Sequence, residues 1–499
     1  MLISVNPLSR IVVLLFFVFL GTVSHAENNA PTLKGDDLKP EELKILRVSK
    51  LGFENIGFLL VNLENGEILE QYHLDQTFIP ASTTKVLTAL YALETLGPEF
   101  QFETELLTHG KIKDGVLEGD LVLRGTGDPF VTASHLFDFA QMLAKAGIKE
   151  VKGRYLYDDS FLPASQVIDE NSRFDQTYNA SLSALSAEFN RFYVWRYGKS
   201  RNTSKSTFEP IPPLEMIKID KVNKRFPAGV SFKYAESENE EKWEVSQYQR
   251  YSRKEALPVR NPSLYTAEMM RFHAQKMGID LPPATAGKTE DADLLYQHKS
   301  KPLLALTEDM LEYSNNVIAD LLILRSAREG KEKPMSLADS AKAMQTWLQA
   351  KFPSGKWEST FLENGSGLTP KNRISPRSMI EVLKYTKDRF YGGRSFWSLL
   401  SISGWTGWVE NRLNDPKTVM QVWAKTGSMD YGNGLTGYLL TAGRKKTAFV
   451  IYVTDTATRD KLDAASPKAS VQLRNRAVGW KTRAQHLQDR LIAHWHDVH

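Results

Sequence analysis

The 499-residue sequence contains no cysteine. A disulfide framework, a thiol nucleophile, an iron–sulfur cluster and a Cys-ligated zinc are therefore excluded. An excess of one charge is also lacking: 63 Lys and Arg face 59 Asp and Glu, a formal net charge of +4. Such a balance gives no electrostatic case for a nucleic-acid partner. Beyond residue 26 no apolar run is long enough to cross a bilayer, and no cysteine is available for a lipid. No transmembrane anchor is expected once the N-terminus is removed. What the chain does have is 42% hydrophobic residues, with 24 Phe, 18 Tyr and 10 Trp. That is ample for burial and excludes a mainly disordered chain. The length implies two or three domains. Composition alone points to a large globular protein, an enzyme without thiol chemistry.

Residues 1–26 read as a secretory signal peptide. Arg10 precedes the apolar run Ile11–Leu20, and Ser24-His25-Ala26 places small residues where a signal peptidase reads. Ile11 to Val23 is shorter than the about 20 residues a membrane span needs, so cleavage is expected rather than an uncleaved anchor. The expected location is the periplasm. A loose leader is expected over Asn28–Lys44. Ile56–Leu63 and Ile68–Tyr72 then flank Asn65-Gly66, the signature of a hairpin turn with positive φ angles. Pro80-Ala81-Ser82 opens a helix carrying Val86, Leu87, Leu90, Leu93 and Leu96, which Gly97-Pro98 ends. Short β-like runs follow from Phe102 to about Arg260. Near the C-terminus three strands are expected, Val419–Ala424, Leu435–Thr441 and Thr447–Thr454. A last helix, Arg476–Trp495, aligns Trp480, Ala484, Leu487, Leu491 and Trp495 on one face. That face suits packing on a sheet better than lying on a membrane.

Three short motifs could carry chemistry. Ser82-Thr83-Thr84-Lys85 is the only Ser-x-x-Lys, and three residues on a helix bring both side chains to one face. A serine needs a base to act as nucleophile, and the helix start offers free N–H groups for an oxyanion. Lys425-Thr426-Gly427-Ser428 is the only Lys-Thr-Gly, placed at a strand. Its glycine would let a ligand backbone lie against the strand, and its lysine and hydroxyls suit a carboxylate. Ser314-Asn315-Asn316 sits at a junction between apolar helical runs. Taken singly, each reads equally as an ordinary helical turn, strand end or helix cap.

In that order the three resemble the signature of the penicillin-binding proteins and serine β-lactamases. Further segments narrow the resemblance: Gly119-Asp120-Leu121-Val122, Gly125-Thr126-Gly127-Asp128-Pro129, Asp158-Asp159-Ser160 and Asn364-Gly365-Ser366-Gly367-Leu368. From about Leu51 to Asp455 the chain resembles the S13 peptidases, the penicillin-binding protein 4 type of D-Ala-D-Ala carboxypeptidase/endopeptidase. The resemblance implies a mixed α/β fold, a β-lactamase/transpeptidase-like domain with an antiparallel sheet flanked by helices. That domain would take residues 27–101 and 262–499, with a strand-rich insertion over 102–261 and an inner subdomain over about 190–245.

The same resemblance implies the roles. Ser82 would be the nucleophile and Lys85 its base, neutral through burial and the nearby Lys425. Ser314 would relay a proton, and Asn316 would bind the substrate amide. Lys425, Thr426 and Ser428, with Gly427 between them, would hold the terminal carboxylate. Asp158 would read the peptide stem. Partners would be peptidoglycan stem peptides, with β-lactams as inhibitors, and no cofactor or metal is expected. His494, His496 and His499 lie at a terminus expected to fray, a poor place for metal ligands. Two departures stand out. Pro370 occupies the place of an Arg common in relatives, with Lys371 or Arg373 as candidate substitutes. Gly404-Trp405-Thr406-Gly407-Trp408 replaces a Gly-x-Asp-Gly-Thr pattern. A β-lactamase or esterase, and a non-catalytic wall-binding scaffold, are the competing readings.

Overall fold

The computed structural model describes residues 38–198, 206–226, 230–235, 237, 240–248 and 253–499. The expected signal peptide lies outside the described residues. Part of the expected loose leader does not: Pro40–Ser49 is a helix, because Ile45 and Leu46 pack into a core and Glu42 accepts the Trp495 indole N–H at 3.1 Å.

An antiparallel sheet organises the chain's two ends. Its six strands run in the order Ser401–Ile402, Val422–Met429, Gly432–Leu440, Lys446–Thr454, Ile56–Asn62 and Ile68–Tyr72. The early hairpin and the late strands thus meet edge to edge, Ile56–Asn62 against Lys446–Thr454. Ile56–Asn62 is buried at every position because both sheet faces are covered, and alternate residues enter different cores. Leu59 and Val61 face helices Thr84–Leu96, Leu303–Tyr313, Asn316–Arg328 and Pro376–Thr386. Phe58 and Leu60 face Ile45, Leu46 and the C-terminal helix. The hairpin is looser than its Asn-Gly implies: only Gly66 takes a positive φ, and its N–H closes back on the Asn62 carbonyl at 2.9 Å.

The C-terminal helix runs from Pro467 to Val498, starting earlier than its apolar periodicity indicates. Trp480, Ala484, Leu487, Leu491 and Trp495 are all buried against the sheet. The terminus does not fray, since His499 contacts Glu70 at 2.6 Å and the His496 carbonyl accepts the Ala442 N–H. Among the described residues no helix is long and apolar enough to cross a membrane.

The insertion has its own sheet and core. Strands Ala284–Ala286, Tyr155–Asp158, Val116–Gly125, Glu103–Lys113 and Asp293–Lys299 lie side by side, covered by helices Ala133–Lys145 and Pro262–Lys276. Two three-stranded sheets are formed within residues 191–258. The strand-rich unit therefore ends near Lys299, not at residue 261. Residues 293–299 pair antiparallel with 103–113, and 284–286 pair with 155–157, ladders that no local pattern announces.

Candidate active site

Ser82 lies in a short 3-10 turn, Ala81–Thr83, that leads into helix Thr84–Leu96. Two hydroxyls tie the turn together: Thr83 Oγ1 donates to the Pro80 carbonyl at 2.8 Å and Thr84 Oγ1 to the Ala81 carbonyl at 2.9 Å. Ala81 sits at φ 47°, a strained value for a residue with a Cβ. Two glycines let backbone close on this turn. A Cβ on Gly427 would lie 2.4 Å from the Pro80 oxygen and 3.0 Å from the Ser82 nitrogen, and one on Gly367 would lie 1.9 Å from the Ala81 oxygen. Strand Val422–Met429 and the Asn364–Gly367 turn are thereby pressed against opposite parts of the nucleophile turn.

One turn along the helix from Ser82, Lys85 is fully buried. Its Nζ lies 3.0 Å from Ser82 Oγ, 2.7 Å from Asn316 Oδ1 and 2.6 Å from the Ser366 carbonyl. The last two atoms can only accept hydrogen bonds; the Ser82 hydroxyl can also give a proton. A neutral Lys85 would spend its two N–H groups on the acceptors and direct its lone pair at Ser82. Burial lowers the Lys85 pKa from 10.5 to about 7, against the opposing charge of Asp320. The shift comes from desolvation rather than from Lys425. The repulsion between the two lysines falls on Lys425, which burial first and Lys85 second push well below 10.5.

Helix Leu303–Tyr313 stops at Ser314, which adopts a left-handed φ of 58°. Asn315 then caps helix Asn316–Arg328 by accepting the Ile318 N–H at 3.1 Å. This break aims Ser314 Oγ at Lys425 Nζ, 2.9 Å away, and Asn316 at Lys85. The Asn316 amide also donates to the Tyr178 carbonyl at 2.8 Å, joining the insertion to the site. Asn433, on the neighbouring strand, donates to Ser428 Oγ at 3.0 Å. Strand Ser401–Ile402 pairs only with Trp423 and Ala424, so among the described residues Lys425–Met429 has no strand neighbour on that side. Ser82, Ser314, Asn316, Thr426 and Ser428 open into one cleft of about 750 Å³.

Asp158 does not line this cleft. It ends a strand of the insertion sheet, and its Oδ1 accepts the Ser160 N–H and hydroxyl at 3.0 and 2.7 Å. Lys371 pairs with Glu363 at 2.8 Å and Arg373 donates to the Pro370 and Asn372 carbonyls; neither reaches the cleft lining. The Gly404–Trp408 segment does: Trp408 lines the cleft, its indole N–H 3.3 Å from the Tyr313 carbonyl. Gly407 takes φ 56°, and a Cβ there would meet the Glu312 oxygen at 2.9 Å.

Asp320 escapes motif reading altogether. Fully buried, it accepts the N–H groups of Gly365 and Ser366 at 2.8 and 2.9 Å, fixing the turn whose carbonyl receives Lys85. Burial raises its pKa from 3.8 to about 6. The available signal was a lone carboxylate inside the apolar run Val317–Leu324.

The family description "D-Ala-D-Ala carboxypeptidase 3 (S13) family" matches residues 43–475. The D-alanyl-D-alanine carboxypeptidase DacB of Haemophilus influenzae is 30% identical over 438 residues, covering 81% of this chain and 86% of that protein. The crystal structure of penicillin binding protein 4 (dacB) from Haemophilus influenzae superposes with a TM-score of 0.74 at 27% identity, over 83% of this chain and 93% of that one. A second structure of that protein, complexed with a novel β-lactam, gives a TM-score of 0.67 at 27% identity, over 80% and 90% of the two chains. A cleft-facing serine on a buried lysine, set against a glycine-bearing strand, and a match over most of the sequence lead to one conclusion: this chain belongs to the D-Ala-D-Ala carboxypeptidase 3 (S13) family.

Proposed function

We infer that the cleft hydrolyses the D-Ala-D-Ala bond of peptidoglycan stem peptides through an acyl-enzyme on Ser82. The observation that carries this is the Lys85 arrangement: two neighbours that only accept and one hydroxyl that can donate. Lys85 takes the Ser82 proton as Oγ attacks the carbonyl, and the backbone N–H groups of Ser82 and Ser428 hold the oxyanion. Ser314, bonded to Lys425, passes a proton to the leaving amine. Asn316 binds the acyl-side amide; Lys425, Thr426 and Ser428 hold the terminal carboxylate. The peptide adds to the open edge of Lys425–Met429 in the manner of a β-strand. Water then cleaves the ester. β-Lactams enter the same cycle and acylate Ser82. The chain acts outside the cytoplasmic membrane, in the periplasm, after removal of residues 1–26.

Labelled penicillin followed by peptide mass mapping is the test, and the adduct is expected on Ser82. Label that persists in Ser82→Ala overturns the assignment. Product masses from a stem pentapeptide and from a crosslinked dimer separate carboxypeptidase from endopeptidase action, and both are expected. β-Lactam turnover much faster than D-Ala release would instead mark a β-lactamase.

A further inference from the structure

The cleft extends beyond the Ser82–Lys425 corner, and its charge is one-sided. Among the described residues Arg191, Arg412, Arg459, Arg474 and Lys481 line it against a single acid, Asp430. Arg412 and Arg459 already pair with Asp489 and Asp463, at 2.7 and 2.6 Å, and Arg474 stands 3.6 Å from Asp430. Among the described residues Lys481 has no ion-pair partner.

These cations form a row. Arg474, Lys481 and Gln485 all come from the C-terminal helix, and spacings of seven and four residues put them on one face. A rise of 1.5 Å per residue separates Arg474 from Lys481 by about 10 Å. Arg412 continues the row, donating to the Gln485 carbonyl at 3.4 Å. The start of the row is fixed by Asp430, the residue after strand Val422–Met429. A peptide on the open edge with its terminal carboxylate at Lys425–Thr426 runs past Ser428 towards Asp430. From Thr426 to Met429 the strand advances about 10 Å, roughly three residues of bound peptide. Residues upstream of the scissile bond therefore arrive at Arg474, the start of the row, and Lys481 lines the same cleft further along the helix. Lys481 also lies six residues past the end of the family match.

We propose that Arg474, Lys481 and Arg412 form an anion-binding wall that holds free carboxylates on the acyl-donor peptide, upstream of D-Ala-D-Ala. The wall rests on the peptidase reading above and adds a preference to it. Of these three, Arg474 and Arg412 each share their charge with an acid of the protein, so Lys481 is the one left for a ligand, while Arg191 stacks over the Phe189 ring. Being half-buried in a cleft, it acts through less water than a surface lysine. The contact is a charge-assisted hydrogen bond and gains no covalent step.

Two stem-like peptides ending in D-Ala-D-Ala provide the test, one with free upstream carboxylates and one with those groups amidated. Penicillin acylation of the wild-type protein is measured alongside. The carboxylate peptide is expected to show a kcat/KM roughly tenfold higher at low salt. The gap should shrink in 0.5 M NaCl. In Lys481→Glu the ratio between the two peptides is expected to fall to about one or below, and in Lys481→Arg to persist, with thermal unfolding checking that both fold. An unchanged ratio in Lys481→Glu, or a wild-type ratio near one with normal penicillin acylation, overturns the wall alone. Absence of both penicillin acylation and D-Ala release overturns the peptidase reading, and the wall with it.

Discussion

On one side of the cleft Lys85 and Lys425 are withdrawn from water and tied to Ser82, Asn316, Ser366 and Ser314, whereas on the other Lys481 stays half-exposed and, among the described residues, has no ion-pair partner. The same side chain does different work in the two places. Desolvation lowers the pKa of both buried lysines, which at Lys85 is what a base requires. A lysine that reaches the water of the cleft suits recognition of an anion. The comparison predicts that changes on the buried side act on every substrate, while changes along the helix act on the choice among substrates.

Ser82→Ala should have the largest effect. It removes the hydroxyl that Lys85 Nζ faces at 3.0 Å, so D-Ala release should fall by about six orders of magnitude. Acylation by penicillin, followed by mass spectrometry, should vanish for every β-lactam tested. Residual adduct at another serine would break the assignment of the buried corner.

Gly427→Ala probes the same corner through backbone. The added Cβ would fall 2.4 Å from the Pro80 oxygen, so strand and turn must part by about 1 Å. We expect kcat/KM to drop about 100-fold for carboxylate and amidated peptides alike, with little change in the melting temperature. A loss confined to one peptide would erase the distinction between the walls.

How far this corner was readable depends on the range of each interaction. Ser-x-x-Lys and Lys-Thr-Gly lie on local elements, so helix and strand spacing already places Ser82 beside Lys85 and Lys425 beside Thr426. The early hairpin, the late strands and the buried stripe Trp480–Trp495 follow local periodicity, and all appear within a few residues of their expected positions. The end of the insertion depends on pairing between residues 103–113 and 293–299, nearly 200 positions apart, which leaves no local trace. Similarity of motif points to Asp158, yet its carboxylate accepts from the Ser160 N–H and hydroxyl instead. Asp320 and the Arg474–Lys481 row are side-chain arrangements created by packing, and no short motif contains them.

Asp320→Asn sharpens the contrast by changing charge without moving atoms far, since an amide oxygen can still accept the Gly365 and Ser366 N–H groups. The charge of Asp320 raises the Lys85 pKa, in opposition to burial. Removing it stabilises the neutral amine, so the acid limb of penicillin acylation should move to lower pH, by about one unit. Lys425 is the other charged group coupled to Lys85 and is untouched by the change. Unaltered limbs would mean that the acid limb reports some group other than Lys85.

The smallest predicted effect lies in stability, and it concerns what the buried wall costs the fold. Lys85 has a pKa of about 7 in the folded chain and 10.5 ordinarily. Between those values the unfolded chain binds a proton that the folded chain lacks, so stability rises with pH across this window. Asp320 acts in the opposite sense at lower pH. Between 3.8 and about 6 the folded chain binds the extra proton, and stability falls as pH rises. The pair thus favours folding least between about 6 and 7, where a neutral lysine first becomes available for catalysis. Lys85→Met removes the upper arm. From pH 7 to 10 the melting temperature of the native protein should rise relative to that of the variant, by a few degrees, on the order expected for a domain of this size. Parallel curves would show that Lys85 keeps its proton in the folded state, and the two walls of the cleft would then use lysine in the same way.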